Sequence, residues 1–146
     1  MRFSGKAYKD GKFWLAEIPI LDLMTQGRTR EEAYRMVADM LETMVNKEGF
    51  RVEIYGGKNG SFEVGSSEPK HMISLLLQRK REISGLSLAQ VAGRLGSTSR
   101  NTYARYEQGR SVPSVEKLNE LIHAVSPQTD IVINESAIPW EREVSH

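Results

Sequence analysis

The chain has 146 residues, of which 39% are hydrophobic and 27% are charged, the composition of an ordinary globular protein. It contains no cysteine, which excludes disulfide bonds and thiolate metal sites and is typical of a reducing compartment. No apolar run reaches the roughly 18 residues of a membrane helix, and no signal-peptide pattern is present. We therefore expect a cytoplasmic protein of one or two small domains.

The net charge of +1 is unevenly distributed along the chain. Residues 1–68 hold 10 Lys/Arg and 11 Asp/Glu, whereas residues 69–128 hold 9 and 4. Residues 129–146 hold 1 and 4. Only the middle block is basic, as expected of a module that neutralises phosphates.

The first predicted elements are a strand pair. Residues 3–8 and 13–18 have strand-like composition and flank Asp10-Gly11, a strong hairpin signal. Residues 21–25 predict a short third strand. These signals favour a small antiparallel sheet at the start of the chain.

A long amphipathic helix follows. Thr29 and Glu32 form a capping-box pattern in which each side chain bonds the other residue's amide, and Gly49 is a plausible end. One apolar stripe at helical spacing comprises Ala33, Met36, Val37, Met40, Leu41, Met44 and Val45. Residues 50–55 and 61–64 predict a second strand pair.

The pattern becomes helical beyond residues 66–70, the predicted linker. Helices are predicted over residues 71–83, 87–95, 99–108 and 113–125, with a capping box of Ser87 and Gln90 at the second. Residues 131–133 predict a short strand. The expected fold is α+β: a sheet-and-helix domain (1–65), an all-α domain (71–134) and a tail (135–146).

The helix predicted at residues 99–108 has two different faces. Tyr103 and Tyr106 lie three apart and face the preceding helix, while Arg100, Asn101 and Arg105 point away. Arginine and asparagine pair with guanine and adenine edges in the major groove. The alternative is a solvated surface helix of no special function. The basic block and the two short helices joined by a turn favour a DNA-binding helix-turn-helix.

Residues 85–118, GLSLAQVAGRLGSTSRNTYARYEQGRSVPSVEKL, resemble the helix-turn-helix of the Cro/C1-type (phage repressor-like) regulators. The segment between Gly96 and Glu107 is one residue longer than usual, which we place near Ser97. The resemblance implies base contacts from the recognition helix and phosphate contacts just after it. The DNA-binding residues implied are Ser99, Arg100, Asn101, Thr102, Arg105, Gln108 and Arg110.

Residues 25–33, TQGRTREEA, follow a hairpin and resemble the corresponding motif of the HicB antitoxin domain, which is similar to a partial ribonuclease H fold. The resemblance implies a type II antitoxin that neutralises a small, basic, mRNA-cleaving toxin of the HicA type. It also implies that the second domain binds operator DNA and represses the shared operon. The aromatics predicted at the toxin interface are Phe13, Trp14 and Tyr55, with burial in the sheet as the alternative for each.

Operators of such regulators are usually palindromic, so a homodimer or higher homo-oligomer is expected. Residues 131–133 and the last helix are the predicted dimer elements. A second hypothesis is a stand-alone transcription regulator whose first domain senses a ligand or another protein.

A third hypothesis is a nuclease, which requires several carboxylates converging on metal ions. The predicted positions of the carboxylates do not favour this, and the histidines are isolated in sequence. We therefore expect no catalysis, metal or cofactor. The residues concerned are Asp10, Glu17, Asp22, Asp39, His71, His123 and His146.

Overall fold

The computed structural model describes residues 1–96 and 100–139 and divides into two compact units. One unit contains Met1–Ser67 together with residues 133–139, and the other is Glu68–Val132. The boundary therefore lies inside the predicted linker. Residues 133–139 group with the first unit, whereas the sequence predicted a tail from residue 135.

The first unit is built on one antiparallel sheet of five strands in the order β3-β2-β1-β5-β4. The order places β3 and β4 at the two edges. The strands are β1 (Arg2–Asp10), β2 (Phe13–Ile18), β3 (Leu23–Gly27), β4 (Glu53–Gly56) and β5 (Ser61–Gly65).

The predicted hairpin joins β1 to β2. Asp10 pairs with Phe13 across the turn, and Gly11 has a φ of +60°, a conformation that glycine adopts without strain. The third strand starts two residues later than predicted because residues Pro19–Leu21 form a 3-10 turn that ends in left-handed Asp22. β4 likewise begins at Glu53 instead of residue 50.

Helix α1 (Arg30–Val45) packs on one face of the sheet, against β2 and β3. The Thr29 hydroxyl accepts from the Glu32 amide at 3.0 Å, as predicted, but Glu32 accepts from the Arg28 amide and not from Thr29. Asn46, in the left-handed conformation, ends the helix before Gly49. Of the predicted stripe, Ala33, Val37 and Leu41 are fully buried, whereas Met36 is exposed and the others are half-buried.

The chain after Val132 lies against β1 and β5 in the first unit. The Arg2 guanidinium donates to the Glu63 carboxylate at 2.9 Å, to the Ser136 hydroxyl at 3.0 Å and to the Ile138 carbonyl at 2.9 Å. The Ser136 hydroxyl also bonds Glu63. Residues 131–133 form no strand, which corrects the prediction: they pair with no described backbone, and Val132 and Ile133 are exposed.

The second unit is helical. Its helices are α2 (Pro69–Ile83), α3 (Leu88–Arg94), α4 (Arg100–Glu107) and α5 (Val115–Val125). The predicted capping box is confirmed at α3, where Ser87 and Gln90 bond each other's amides. The α+β prediction is therefore confirmed. Within the described parts of the chain, no helix is long and apolar enough to cross a membrane.

Candidate nucleic-acid interface

Helix α4 presents a buried face and an exposed face. Tyr103 is completely buried, Ala104 is nearly so, and Tyr106 is half-buried. Arg100, Asn101, Thr102 and Arg105 are exposed, as the amphipathic pattern indicated. The helix is therefore held by its apolar side and offers guanidinium, amide and hydroxyl groups to the solvent.

Helix α3 packs directly against α4, and α2 packs against α4 from another side. Gly96, just after α3, has a φ of +74° and starts the turn between the two short helices. Residues 97–99 lie outside the described residues, so Ser99 and the predicted extra residue near Ser97 remain predictions. The two helices have the order and packing of a helix-turn-helix.

A part-buried polar network links α4 to α2. The Arg81 guanidinium donates to the Glu107 carboxylate at 2.6 Å and to the Leu86 carbonyl at 3.0 Å. The Tyr103 hydroxyl donates to the same Glu107 oxygen at 3.1 Å. Glu107 therefore joins a cation on α2 to the aromatic anchor of α4, across 26 positions of sequence.

The network also keeps the Tyr103 hydroxyl and the Arg81 guanidinium protonated. Burial raises the pKa of the Tyr103 hydroxyl, with a further contribution from the Glu107 charge, so Tyr103 stays a hydrogen-bond donor. The hydrogen bond to Glu107 raises the pKa of Arg81. The carboxylate thus faces two donors that do not lose their protons in the physiological range.

The residues after α4 are fixed by backbone hydrogen bonds. The Arg110 amide donates to the Arg105 carbonyl at 2.9 Å, across Gly109, whose φ is +68°. A Cβ on Gly109 would lie 2.8 Å from the His71 Nδ1 atom, so a side chain is excluded there. This tight turn places Gln108 and Arg110 on the surface.

The exposed side of α4 borders a shallow depression. It is lined by Asn101, Thr102, Arg105, Tyr106 and Ser111. Among the described residues, Arg100, Arg105 and Arg110 make no ion pair, so their charges stay available to an anion. Residues Glu68–Val132 hold 9 Lys/Arg and 6 Asp/Glu, a net +3. This surface suits a phosphate backbone and base edges.

The three aromatics predicted at a toxin interface occupy different environments. Phe13 is 41% exposed, and Trp14 is half-buried with the Arg30 guanidinium 5.9 Å from its ring. Tyr55 is only 7% exposed, beneath the Arg2 guanidinium at 3.6 Å. Phe13 therefore offers the most surface of the three, and Tyr55 offers little.

The carboxylates considered for nuclease chemistry are not gathered into a metal site. Within residues 1–96 and 100–139, no group of three or more His, Asp or Glu side chains is placed to hold a metal ion. Glu17 accepts a hydrogen bond from the Tyr8 hydroxyl on the sheet surface. Asp10, Asp22 and Asp39 are exposed.

Two tertiary contacts had no clear local signal in the sequence. The Arg81–Glu107 pair joins residues that no spacing rule connects. The second contact is the close approach of Gly27 to α1: a Cβ added to Gly27 would lie 2.5 Å from the Ala33 amide nitrogen. Ala33 is itself fully buried. The Gly-x5-Ala spacing within TQGRTREEA is therefore a packing requirement as well as a turn and a cap.

Residues 73–126 match the family model described as a helix-turn-helix domain. The match runs from within α2 to the end of α5 and covers more than a third of the chain. No curated protein matches the sequence. The domain match and the exposed polar face of α4 support a DNA-binding helix-turn-helix in the C-terminal half of the chain, as found in transcription regulators.

Proposed function

We propose that this protein is a DNA-binding transcription regulator that acts as an antitoxin and represses its own operon. The observation that carries the DNA-binding part is the division of α4 into a buried Tyr103–Ala104 face and an exposed Asn101–Thr102–Arg105 face, with Arg100 exposed as the first residue of the helix. This division occurs within a matched helix-turn-helix domain. The antitoxin part rests on the resemblance of residues 25–33 to the HicB motif.

On this proposal, α4 enters the major groove and contacts base edges through Arg100, Asn101 and Arg105. Thr102 adds a hydroxyl on the same exposed side. Gln108 and Arg110, presented by the Gly109 turn, contact phosphates. Phosphate contacts carry no sequence information. Substitutions of the base-contacting residues and of the phosphate-contacting residues are therefore expected to affect DNA binding differently.

Replacing Arg100 or Asn101 by alanine is expected to cost about 1–3 kcal/mol of discrimination between the operator and a random duplex. Each side chain is exposed, so the fold is left intact. Arg110→Ala is the matched control: it should weaken binding to both duplexes alike and lower the salt slope by about 1. Fluorescence anisotropy with DNA from upstream of the coding sequence measures both. Equal losses on both duplexes for Arg100→Ala would assign that residue to phosphate contact.

The proposed partner of the first unit is a small, basic, mRNA-cleaving toxin of the HicA type. The support is the hairpin of β1 and β2, followed by β3 and a Thr29-capped α1, in the chain order of the resembled domain. Exposed Phe13 supplies an apolar contact on this unit. The role is binding and inhibition, without catalysis by this chain.

The test is co-expression with the product of any small basic open reading frame that adjoins the gene, followed by affinity capture. We expect a stable complex that Phe13→Ala weakens, while Arg100→Ala leaves it unchanged because its role is DNA contact. If no complex forms and the protein still binds the operator, the antitoxin hypothesis is replaced by that of a stand-alone transcription regulator.

A further inference from the structure

The two tyrosines of α4 use their hydroxyl groups differently. Tyr103 is completely buried, and its hydroxyl donates to the Glu107 carboxylate at 3.1 Å. Tyr106 lies about 60° around the helix from Tyr103 and is half-buried. Its hydroxyl oxygen is not buried and bonds to none of the described residues. The Tyr106 hydroxyl is therefore available to a ligand.

Tyr106 lines the shallow depression beside α4 together with a second hydroxyl residue. Ser111 follows α4 and is held close to it, since its amide donates to the Arg105 carbonyl at 3.3 Å. Ser111 is half-buried, and its hydroxyl likewise bonds to none of the described residues. We call Tyr106 and Ser111 the hydroxyl pair. The other residues that line the depression are Asn101, Thr102 and Arg105.

The chemistry of the depression favours an anion that accepts hydrogen bonds. Among the described residues that line it, Arg105 is the only charged one, and none is a carboxylate. Each hydroxyl of the pair can donate one hydrogen bond. A phosphate oxygen is negatively charged and only accepts, and O–H donors form short, strong hydrogen bonds with such oxygens. The DNA backbone supplies phosphates along both walls of the major groove.

The position of Tyr106 on α4 selects phosphates over base edges. Tyr106 lies about 100° around the helix from Arg105 and about 140° from Asn101. An α-helix with its side chains is about 10–12 Å across, and the major groove of B-DNA is about 12 Å wide, so the helix fills the groove. When Asn101 and Arg105 face the base edges, Tyr106 faces a wall of the groove, where the phosphates lie.

We propose that the hydroxyl pair donates hydrogen bonds to one phosphate of the DNA backbone, which adds Tyr106 and Ser111 to the DNA-contacting residues. The inference rests on the proposed function, because it requires α4 to lie in the major groove. The sequence pattern assigned Tyr106 to the buried side of the helix, and the structure places it at the border. Because both hydroxyls are neutral, this contact adds affinity without releasing counterions, unlike that of Arg110.

Tyr106→Phe tests the proposal in the full chain, because it removes the hydroxyl and keeps the ring. We expect affinity for the operator and for a random duplex to fall alike, by roughly tenfold, as for a lost hydrogen bond to a charged acceptor. The slope of log affinity against log salt should stay unchanged, whereas Arg110→Ala should lower it. Ser111→Ala should weaken binding in the same way. Fluorescence anisotropy at several salt concentrations measures all three variants.

A second arm identifies the phosphate. Single phosphates of the operator are replaced by neutral methylphosphonates, one position at a time. At the contacted phosphate, we expect the wild type to lose affinity and Tyr106→Phe to lose no more, because both changes remove the same interaction. Tyr8→Phe makes the same substitution at an exposed tyrosine of the first unit and should leave DNA binding unchanged. Chemical denaturation should show that Tyr106→Phe unfolds like the wild type, since no hydrogen bond with the described residues is lost.

Wild-type affinity in Tyr106→Phe, a loss confined to the operator duplex, or additive losses at every methylphosphonate would each overturn the proposal. A loss of stability that accounts for the loss of affinity would also overturn it, since Tyr106 would then act through the fold. In each of these cases the wild type still binds DNA. A wild type that binds neither duplex would instead overturn the proposed function and this inference with it.

Discussion

Replacing Glu107 by alanine is expected to lower the free energy of unfolding of the helical unit by about 3 kcal/mol, the lower end of the range for breaking a buried ion pair, because this pair is part-buried. The side chains of Glu107 and Arg81 are only 9% and 19% exposed. Without the carboxylate, the Arg81 guanidinium and the Tyr103 hydroxyl each lose a partner that solvent replaces poorly. Because this network fixes α4 to α2, operator affinity should fall together with stability.

Chemical denaturation followed by circular dichroism measures the loss. Lys117→Ala is the matched control, since it breaks the exposed pair of Lys117 with Glu120 and should cost less than about 1 kcal/mol. Glu107→Gln keeps an acceptor for Tyr103 and should give an intermediate loss. A loss for Glu107→Ala no larger than that for Lys117→Ala would show that the network does not stabilise the unit.

Replacing Gly27 by alanine should destabilise the first unit by about 3 kcal/mol, at the upper end of overpacking costs. The added Cβ would lie 2.5 Å from the Ala33 nitrogen and 2.9 Å from the Glu32 carbonyl carbon. Both are backbone atoms of the first turn of α1, so no side-chain rotation relieves the overlap. The helix must move away from β3.

Gly56→Ala is the matched control, because Gly56 also lies in an edge strand but nothing is within 4 Å of the added Cβ. It should change the free energy of unfolding by less than about 0.5 kcal/mol. Thermal and chemical denaturation compare the two variants. Similar effects at both positions would contradict the importance of the Gly27–Ala33 approach.

Local signals in the sequence predicted local structure well. The Asp10-Gly11 turn, the Thr29 cap and the Ser87 capping box each act over four residues or fewer, and all three are present. The exposure of Asn101 and Arg105 followed from their spacing relative to Tyr103, whereas Arg100, three residues before Tyr103, is exposed as the first residue of α4. Helical periodicity depends only on neighbours in the chain, which is why it could be used before any tertiary contact was known.

Tertiary contacts account for what the sequence did not predict. Met36 belongs to the apolar stripe of α1 but stays exposed, because the sheet covers only the Ala33–Val37–Leu41 line. The 3-10 turn at Pro19–Leu21 shifted β3, and no local pattern connects Arg81 with Glu107. Ser136 contacts Arg2, a residue more than 130 positions away in the sequence, so no local pattern could predict that contact.

That return makes the helical unit an insertion, with both of its ends attached to the same sheet-bearing unit. While the insertion is folded, the chain that leaves at Ser67 returns at Ile133 through ordered helices. If it unfolds, the contacts of Arg2 with Ser136 and Ile138 must instead close a flexible loop, whose entropic cost rises with the logarithm of its length. Unfolding of the helical unit therefore weakens the contacts of Ser136 and Ile138 with Arg2 through chain connectivity alone.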